Sequence, residues 1–152
     1  MSSGPDFQTD LERGQEAEKK FMKLHCLDLK KPTHLKWDFD GPNGERVELK
    51  ADSYDPNRTP NLFMERWSDV DRKKPGGPWR ALENGANIFC YWFVMGDYFL
   101  ECRNLPGLVK FLDEEILTAK KVSVKNKTWT TVGYLVPRDR LLMYFDFYHT
   151  IT

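Results

Sequence analysis

The sequence predicts a mixed α/β fold with a central mixed sheet flanked by helices. Residues 45–52 alternate between apolar and charged, as in a strand with one packed face. Residues 88–95 are continuously apolar, as in a central strand covered on both faces. Residues 11–24 and 105–116 carry apolar side chains at helical spacing. Because strands and helices do not alternate strictly, a mixed sheet is favoured over a doubly wound parallel one.

Length and charge set the first bounds on function. A chain of 152 residues fits one domain, which we take to span residues 1–152. The formal net charge is zero, so any surface that binds nucleic acid must be local.

The cysteines and the chain start bear on the compartment. Three cysteines lie far apart without a CxxC pair, which disfavours a zinc knuckle and a disulfide framework: Cys26, Cys90 and Cys102. The first residues lack a basic-then-apolar signal pattern, and the run 88–95 is too short to cross a bilayer. We therefore expect a soluble cytoplasmic protein with no membrane partner.

The N-terminal half is predicted to form a helix followed by a hairpin. Thr9 or Asp10 can cap a helix that runs to about residue 25, and Glu18 falls inside its apolar arc. Residues 34–40 are predicted to form a strand, and the breaker-rich segment 41–44 a turn. The alternating residues 45–52 then form the second strand of this hairpin.

The rest of the chain supplies the remaining elements. Residues 53–60 are predicted to form a loop, 61–67 a third strand and 69–78 an exposed loop before the buried strand. Asn104 is a plausible N-cap, with Pro106 in the first turn of the second helix. A β-rich tail follows: 120–129, 131–137 and 143–148.

The hairpin carries the residues with a chemical role. If the turn pairs Asp38 with Glu48, their Cβ atoms lie roughly 5 Å apart, close enough to share a hard cation. Opposed carboxylates repel unless something neutralises them. All-oxygen ligands favour Mg²⁺ or Mn²⁺ over Zn²⁺. Lys50 projects to the same side as Glu48 and could activate a water or stabilise negative charge.

These residues resemble a known family. Trp37-Asp38 followed by Val47-Glu48-Leu49-Lys50 is similar to the PD-(D/E)XK nuclease signature, in which an Asp ends one strand and Glu-X-Lys lies on the next. The segment 14–18 resembles the leading helix of that superfamily, whose Glu often completes the acidic site. Residues 51–52 followed by 59–65, and the segments 74–77 and 133–137, resemble small phage-type members.

The chain departs from the family pattern at three positions. Pro60 stands where the phage-type run usually has Gly, Asn87 where an Asp is common, and Trp37 where the signature has Pro. None of these changes removes a catalytic group.

The resemblance implies a restriction-endonuclease-like core and a Mg²⁺-dependent DNA endonuclease, many relatives of which act as homodimers. Asp38 and Glu48 would hold the metal, Lys50 would assist the water or the transition state, and Glu18 would add an acidic oxygen. The implied setting is intracellular and compatible with a phage-encoded protein in a bacterial host. Asp40 competes with Asp38 as ligand, and Glu65 and Asp52 are second-tier candidates.

Two questions stay open from the sequence. Six lysines could contact phosphates, although a charge run is usually a solvated face: Lys73, Lys74, Lys120, Lys121, Lys125 and Lys127. The rival functions are a nuclease-like domain that binds nucleic acid without cutting it and a non-catalytic protein-interaction module.

Overall fold

Nine strands and two helices make up the part of the chain that the computed structural model describes, residues 29–34, 36–52, 59–93 and 98–149. The strands are β1 (Phe39–Asp40), β2 (Arg46–Asp52), β3 (Asn61–Asp69), β4 (Lys74–Pro75), β5 (Ile88–Phe93), β6 (Tyr98–Cys102), β7 (Lys120–Lys125), β8 (Thr130–Pro137) and β9 (Asp146–His149). The helices are α1 (Gly77–Asn84) and α2 (Leu105–Glu115), with a 3-10 turn at Arg138–Leu141.

Five strands form the first sheet, in the order β1-β2-β5-β6-β9. The pairing of β2 with β5 is parallel and the other pairings are antiparallel, so the sheet is mixed as predicted. A parallel neighbour requires a crossover connection, and here the crossover includes β3, β4 and α1. The buried strand β5 thus lies beside the strand that carries Glu48 and Lys50.

The predicted mixed sheet accounts for only part of the fold, because the remaining strands form a second, antiparallel sheet in the order β4-β3-β8-β7. The third predicted strand, now β3, belongs to this second sheet and pairs with β8 from the tail. Strand pairing over such a sequence distance is not encoded in local alternation, which reports only burial on each face.

The first sheet is covered by apolar residues on both faces. One face packs against both helices and β3 in a cluster that includes Phe89, Tyr91, Met64, Trp79 and Leu108. The other face carries a smaller cluster that includes Phe39, Val47, Cys90 and Trp92. Val47, Leu49 and Ala51 share this second face, as the alternation of β2 predicts.

The first strand is shorter than the prediction of residues 34–40. Regular pairing covers only Phe39–Asp40, opposite Val47 and Arg46. At Asp38 the ladder becomes irregular, because the N–H of Asp38 donates to Val47 O at 2.8 Å while its side chain bonds further along β2. The side chain thus replaces the next backbone partner, and regular strand pairing begins only at Phe39.

The segment predicted as an exposed loop, residues 69–78, also holds β4 and the start of α1. Gly76 precedes the helix, Pro78 occupies its first turn, and Gly85 ends it at φ 96°. Proline is favoured at a helix start and glycine just past a helix end, so the breakers that indicate a loop here bracket a helix.

The second helix and the buried strand are confirmed. The Asn104 side chain accepts a hydrogen bond from Gly107 N at 3.1 Å, and Leu105, Leu108 and Leu112 are buried. All six residues of β5 are buried. The predicted N-terminal helix and the loop segment 53–58 lie outside the described residues. Within the described part of the chain, no helix has the length and apolar character needed to span a membrane.

Candidate metal centre

The Asp38 carboxylate is fixed just before β1 begins. Its Oδ2 atom accepts a hydrogen bond from the backbone N of Leu49 at 2.8 Å. Leu49 stands between Glu48 and Lys50 in β2. The structure therefore brings Asp38 to the Glu-X-Lys segment, as the sequence predicts, although through an irregular end of the ladder rather than a regular opposed pair.

Glu48 and Lys50 lie on the inward face of the first sheet, near its edge. In the parallel ladder Glu48 is the partner of Phe89 and Lys50 the partner of Tyr91, two residues of the main core. Partners in a ladder project to the same face, so Glu48 and Lys50 flank the core about 6.6 Å apart along the strand. Both side chains are half-buried, which makes this face more enclosed than an ordinary solvated strand face.

Asp40, the competing ligand, has a different set of partners. Its Oδ1 atom accepts a hydrogen bond from Trp37 Nε1 at 2.6 Å. Its backbone N and O are both bonded to Lys30, each at 2.8 Å. Asp40 pairs with Arg46, on the turn side of Glu48. These contacts show that Asp40 stabilises the hairpin. Asp38 is the aspartate that contacts the Glu-X-Lys segment.

Asp52, a second-tier candidate, links the two sheets. The Tyr91 hydroxyl donates a short hydrogen bond to Asp52 Oδ2 and accepts one from the backbone N of Phe63 at 3.2 Å. Phe63 belongs to β3 in the second sheet, and both Asp52 and Tyr91 are buried. A buried carboxylate needs such partners, so these contacts give Asp52 a structural role.

Glu65, the other second-tier candidate, lies on β3 against the glycine pair before α1. A Cβ added to Gly76 would come within 2.1 Å of Glu65 Oε2, and one added to Gly77 within 2.7 Å of Glu65 O. The two glycines therefore let the start of α1 approach β3 at Glu65.

The described residues contain no group of three or more His, Cys, Asp or Glu side chains able to hold a metal. Glu18, the further acidic residue expected from the sequence, lies outside them. Mg²⁺ is commonly held by only one or two carboxylates, with waters and substrate phosphates filling the other positions. Asp38 and Glu48 fit that requirement, since one Asp38 oxygen is outside the bond to Leu49.

The buried cysteines are poorly suited to metal binding or nucleophilic chemistry. Burial raises the pKa of the Cys90 thiol well above its usual value, with the nearby Glu101 charge adding to the effect. Burial also raises the pKa of Cys102 to about 11. Both remain protonated at neutral pH, whereas the thiolate is the form that binds metals and attacks electrophiles.

The six candidate lysines are all exposed but fall into two groups. Lys125 pairs with Thr130 at one end of the second sheet, and Lys74 pairs with Asp69 at the same end. Lys73 and Lys127 flank these two in the adjoining turns. Lys120 and Lys121 pair with Leu135 and Tyr134 at the opposite end.

Two residues for which the sequence predicts no role in the site help to build it. Tyr91 connects Asp52 to β3, and its hydroxyl in a strand buried on both faces was the available signal, because a buried tyrosine usually needs a polar partner. Asn87 ties the hairpin to β5, accepting from Arg46 N at 2.7 Å and donating to Gly44 O at 3.1 Å. Nothing local in the sequence predicts the contacts of Asn87.

Comparison with known proteins adds no relative: no family model, curated protein or solved structure matches the chain.

Proposed function

We propose that this protein is a metal-dependent nuclease of the PD-(D/E)XK type that hydrolyses phosphodiester bonds in DNA. The observation that carries the proposal is the hydrogen bond from Leu49 N to Asp38 Oδ2, which holds the aspartate beside Glu48 and Lys50. Also in its support, Asp38 directly precedes β1, and β1 is the antiparallel neighbour of the strand that carries the Glu-X-Lys segment in a mixed sheet. A restriction-endonuclease-like core is part of the proposal.

Asp38 and Glu48 would hold a Mg²⁺ or Mn²⁺ ion. Such an ion, when bound, neutralises phosphate charge and makes water a stronger nucleophile. The bond from Leu49 orients the Asp38 carboxylate and holds it in place. The backbone of Glu48 is fixed by the regular parallel ladder with β5.

Lys50 would act on the reacting groups. Its ammonium extends from the same face as Glu48, two residues further along β2. A cation at that position can orient the attacking water or stabilise the negative charge that develops on the phosphate oxygens. Its half-buried setting strengthens that interaction relative to bulk water.

Cleavage of DNA with Mg²⁺ tests the proposal. The substrates are supercoiled, single-stranded and branched DNA, and the variants are Glu48→Gln and Lys50→Met, which keep size and remove charge. We expect each variant to lose about 10²-fold or more in rate. The matched controls are Glu83→Gln and Lys110→Met at exposed helix positions, which should cut like wild type.

Cleavage that persists in EDTA, or at an unchanged rate in Glu48→Gln, would refute the proposal. A wild-type protein that binds DNA but cuts none of the substrates would instead favour a binding module that lacks catalysis.

A further inference from the structure

One end of the second sheet gathers positive charge from two hairpins. Lys74 of β4, Asp69 of β3, Thr130 of β8 and Lys125 of β7 lie in one row across the four strands. The backbone N of Val70 donates to Thr130 O at 3.0 Å and so joins the two central strands at this end. With strands about 4.8 Å apart, the outer lysines of the row are separated by roughly 14 Å.

We call this region the basic end: Arg72, Lys73, Lys74, Lys125, Lys127 and Trp129. Its cations face two acids, Asp69 and Asp71, and Asp69 is buried and paired with Arg72 at 3.4 Å. The whole chain has zero net charge, so the excess of cations at the basic end is a local concentration of positive charge. Lys73 adopts φ 54°, a backbone conformation that glycine takes at lower cost. Its side chain is exposed.

An exposed aromatic ring lies in the same region. Trp129 is 40% exposed in the turn between β7 and β8. That turn is closed by a bond from Asn126 N to Trp129 O at 2.8 Å. The Asn126 side chain donates to Thr131 Oγ1, which in turn donates to Ser68 O, each at 3.0 Å. The ring is therefore held on a fixed turn beside Lys125 and Lys127.

We propose that the basic end binds a single-stranded segment of nucleic acid, with its lysines on phosphates and Trp129 stacked on a base. This deepens the proposed function by naming the form of the substrate, and it rests on that function for the choice of ligand. Stacking needs an unpaired base, whereas a duplex hides its base faces, so the exposed ring favours a single strand over a duplex.

The position of the basic end fits a substrate that also reaches the candidate metal centre. Phe63, which contacts Tyr91, lies six residues from Asp69 on β3, or about 20 Å along the strand. Tyr91 is the ladder partner of Lys50. Tyr91 is fully buried, so these contacts give only the separation: a strand held at the basic end would have to run several nucleotides over the surface to reach the metal centre.

Fluorescence anisotropy with a labelled oligothymidylate, measured in EDTA so that no cleavage occurs, tests the proposal. We expect Lys125→Ala/Lys127→Ala to weaken binding and to reduce the salt slope of log K by about 1.4, since each lost phosphate contact on a single strand contributes about 0.7. The matched control, Lys120→Ala/Lys121→Ala, changes two exposed lysines of the same strand at the other end and should leave both quantities near wild type.

The ring is tested separately. Trp129→Ala should weaken binding about tenfold, and Trp129→Phe should restore most of it, because stacking tolerates any aromatic side chain. Met143→Ala, at a residue 91% exposed outside the basic end, controls for loss of apolar surface.

The proposal would be overturned if the two double-lysine variants lost equal binding affinity. It would also be overturned if a matched duplex bound more tightly than the single strand. If the basic-end variants still cleave DNA and bind it as tightly as wild type, the proposed role of the basic end is refuted and the proposed nuclease activity is not. Binding that follows these expectations without any cleavage would refute the nuclease and leave the basic end standing.

Discussion

At the scale of single residues, Asp38 combines two tasks in one carboxylate. One oxygen accepts the N–H of Leu49 and ends the β1–β2 ladder. The other oxygen lies outside that bond and remains a candidate ligand beside Glu48. Asp40 illustrates the alternative outcome for an acidic residue in the same hairpin, because its carboxylate bonds the Trp37 indole. Position within the hairpin, rather than residue type, separates the two aspartates.

Tyr91→Phe should lower the free energy of unfolding by about 1–3 kcal/mol, because it removes the hydroxyl that bonds both the buried Asp52 carboxylate and the part-buried N–H of Phe63. Urea unfolding measures the effect. Tyr134→Phe, at a half-buried position of β8, is the matched control and should change stability by less than about 0.5 kcal/mol. If Tyr134→Phe lowered the free energy of unfolding as much as Tyr91→Phe, the hydroxyl that links the two sheets would contribute no more to stability than another tyrosine hydroxyl.

At the scale of elements, the sequence predicted those whose signal is local. The alternation of β2, the apolar run of β5 and the Asn104 cap of α2 each report burial or capping within a few residues, and each is found. Helix α1 was missed because its Gly-Gly-Pro start is typical of loops as well. The assignment of β3 to a second sheet could not be predicted, since it depends on pairing with β8 more than 60 residues away.

The distinction between local signals and long-range contacts also applies to the candidate site. The short hairpin predicts that Asp38 lies near the Glu-X-Lys segment, and the Asp38 side chain does bond Leu49 within it, whereas the regular opposed pair of Asp38 with Glu48 is not formed. The partners of Asp52 and Glu65 come from distant elements, namely β5 with β3 and the start of α1. Their roles therefore depended on tertiary contacts that no local pattern encodes.

The close approach of α1 to β3 predicts a difference between two glycines. Gly77→Ala should destabilise more than Gly44→Ala, although both residues have positive φ (47° and 86°) and both changes cost about 1–2 kcal/mol for that conformation. A Cβ on Gly77 would also lie 2.7 Å from the Glu65 backbone oxygen, whereas one on Gly44 would meet nothing within 4 Å. Thermal unfolding compares the two variants, and a Gly44→Ala loss equal to or larger than that of Gly77→Ala would contradict this packing.

At the scale of the whole molecule, the two sheets carry different parts of the proposed function. The first sheet carries the candidate metal centre at its edge, and the second carries the basic end. Tyr91 connects them through Asp52 and Phe63. A chain of zero net charge can bind nucleic acid only if its charges are segregated in this way, with acids at one place and lysines at another.

The central claim is that Asp38 and Glu48 together hold a divalent cation, and a Mn²⁺ titration of the melting temperature tests it most directly. Binding to the folded state alone stabilises it by about 2.7 kcal/mol at a hundredfold excess over Kd, which corresponds to roughly 5–10 °C for a chain of this size. We predict this rise in wild type and in Asp71→Asn, an exposed control, and its loss in Asp38→Asn, where the Asn oxygen can still accept the N–H of Leu49. An unchanged rise in Asp38→Asn, or no rise in wild type, would contradict the claim.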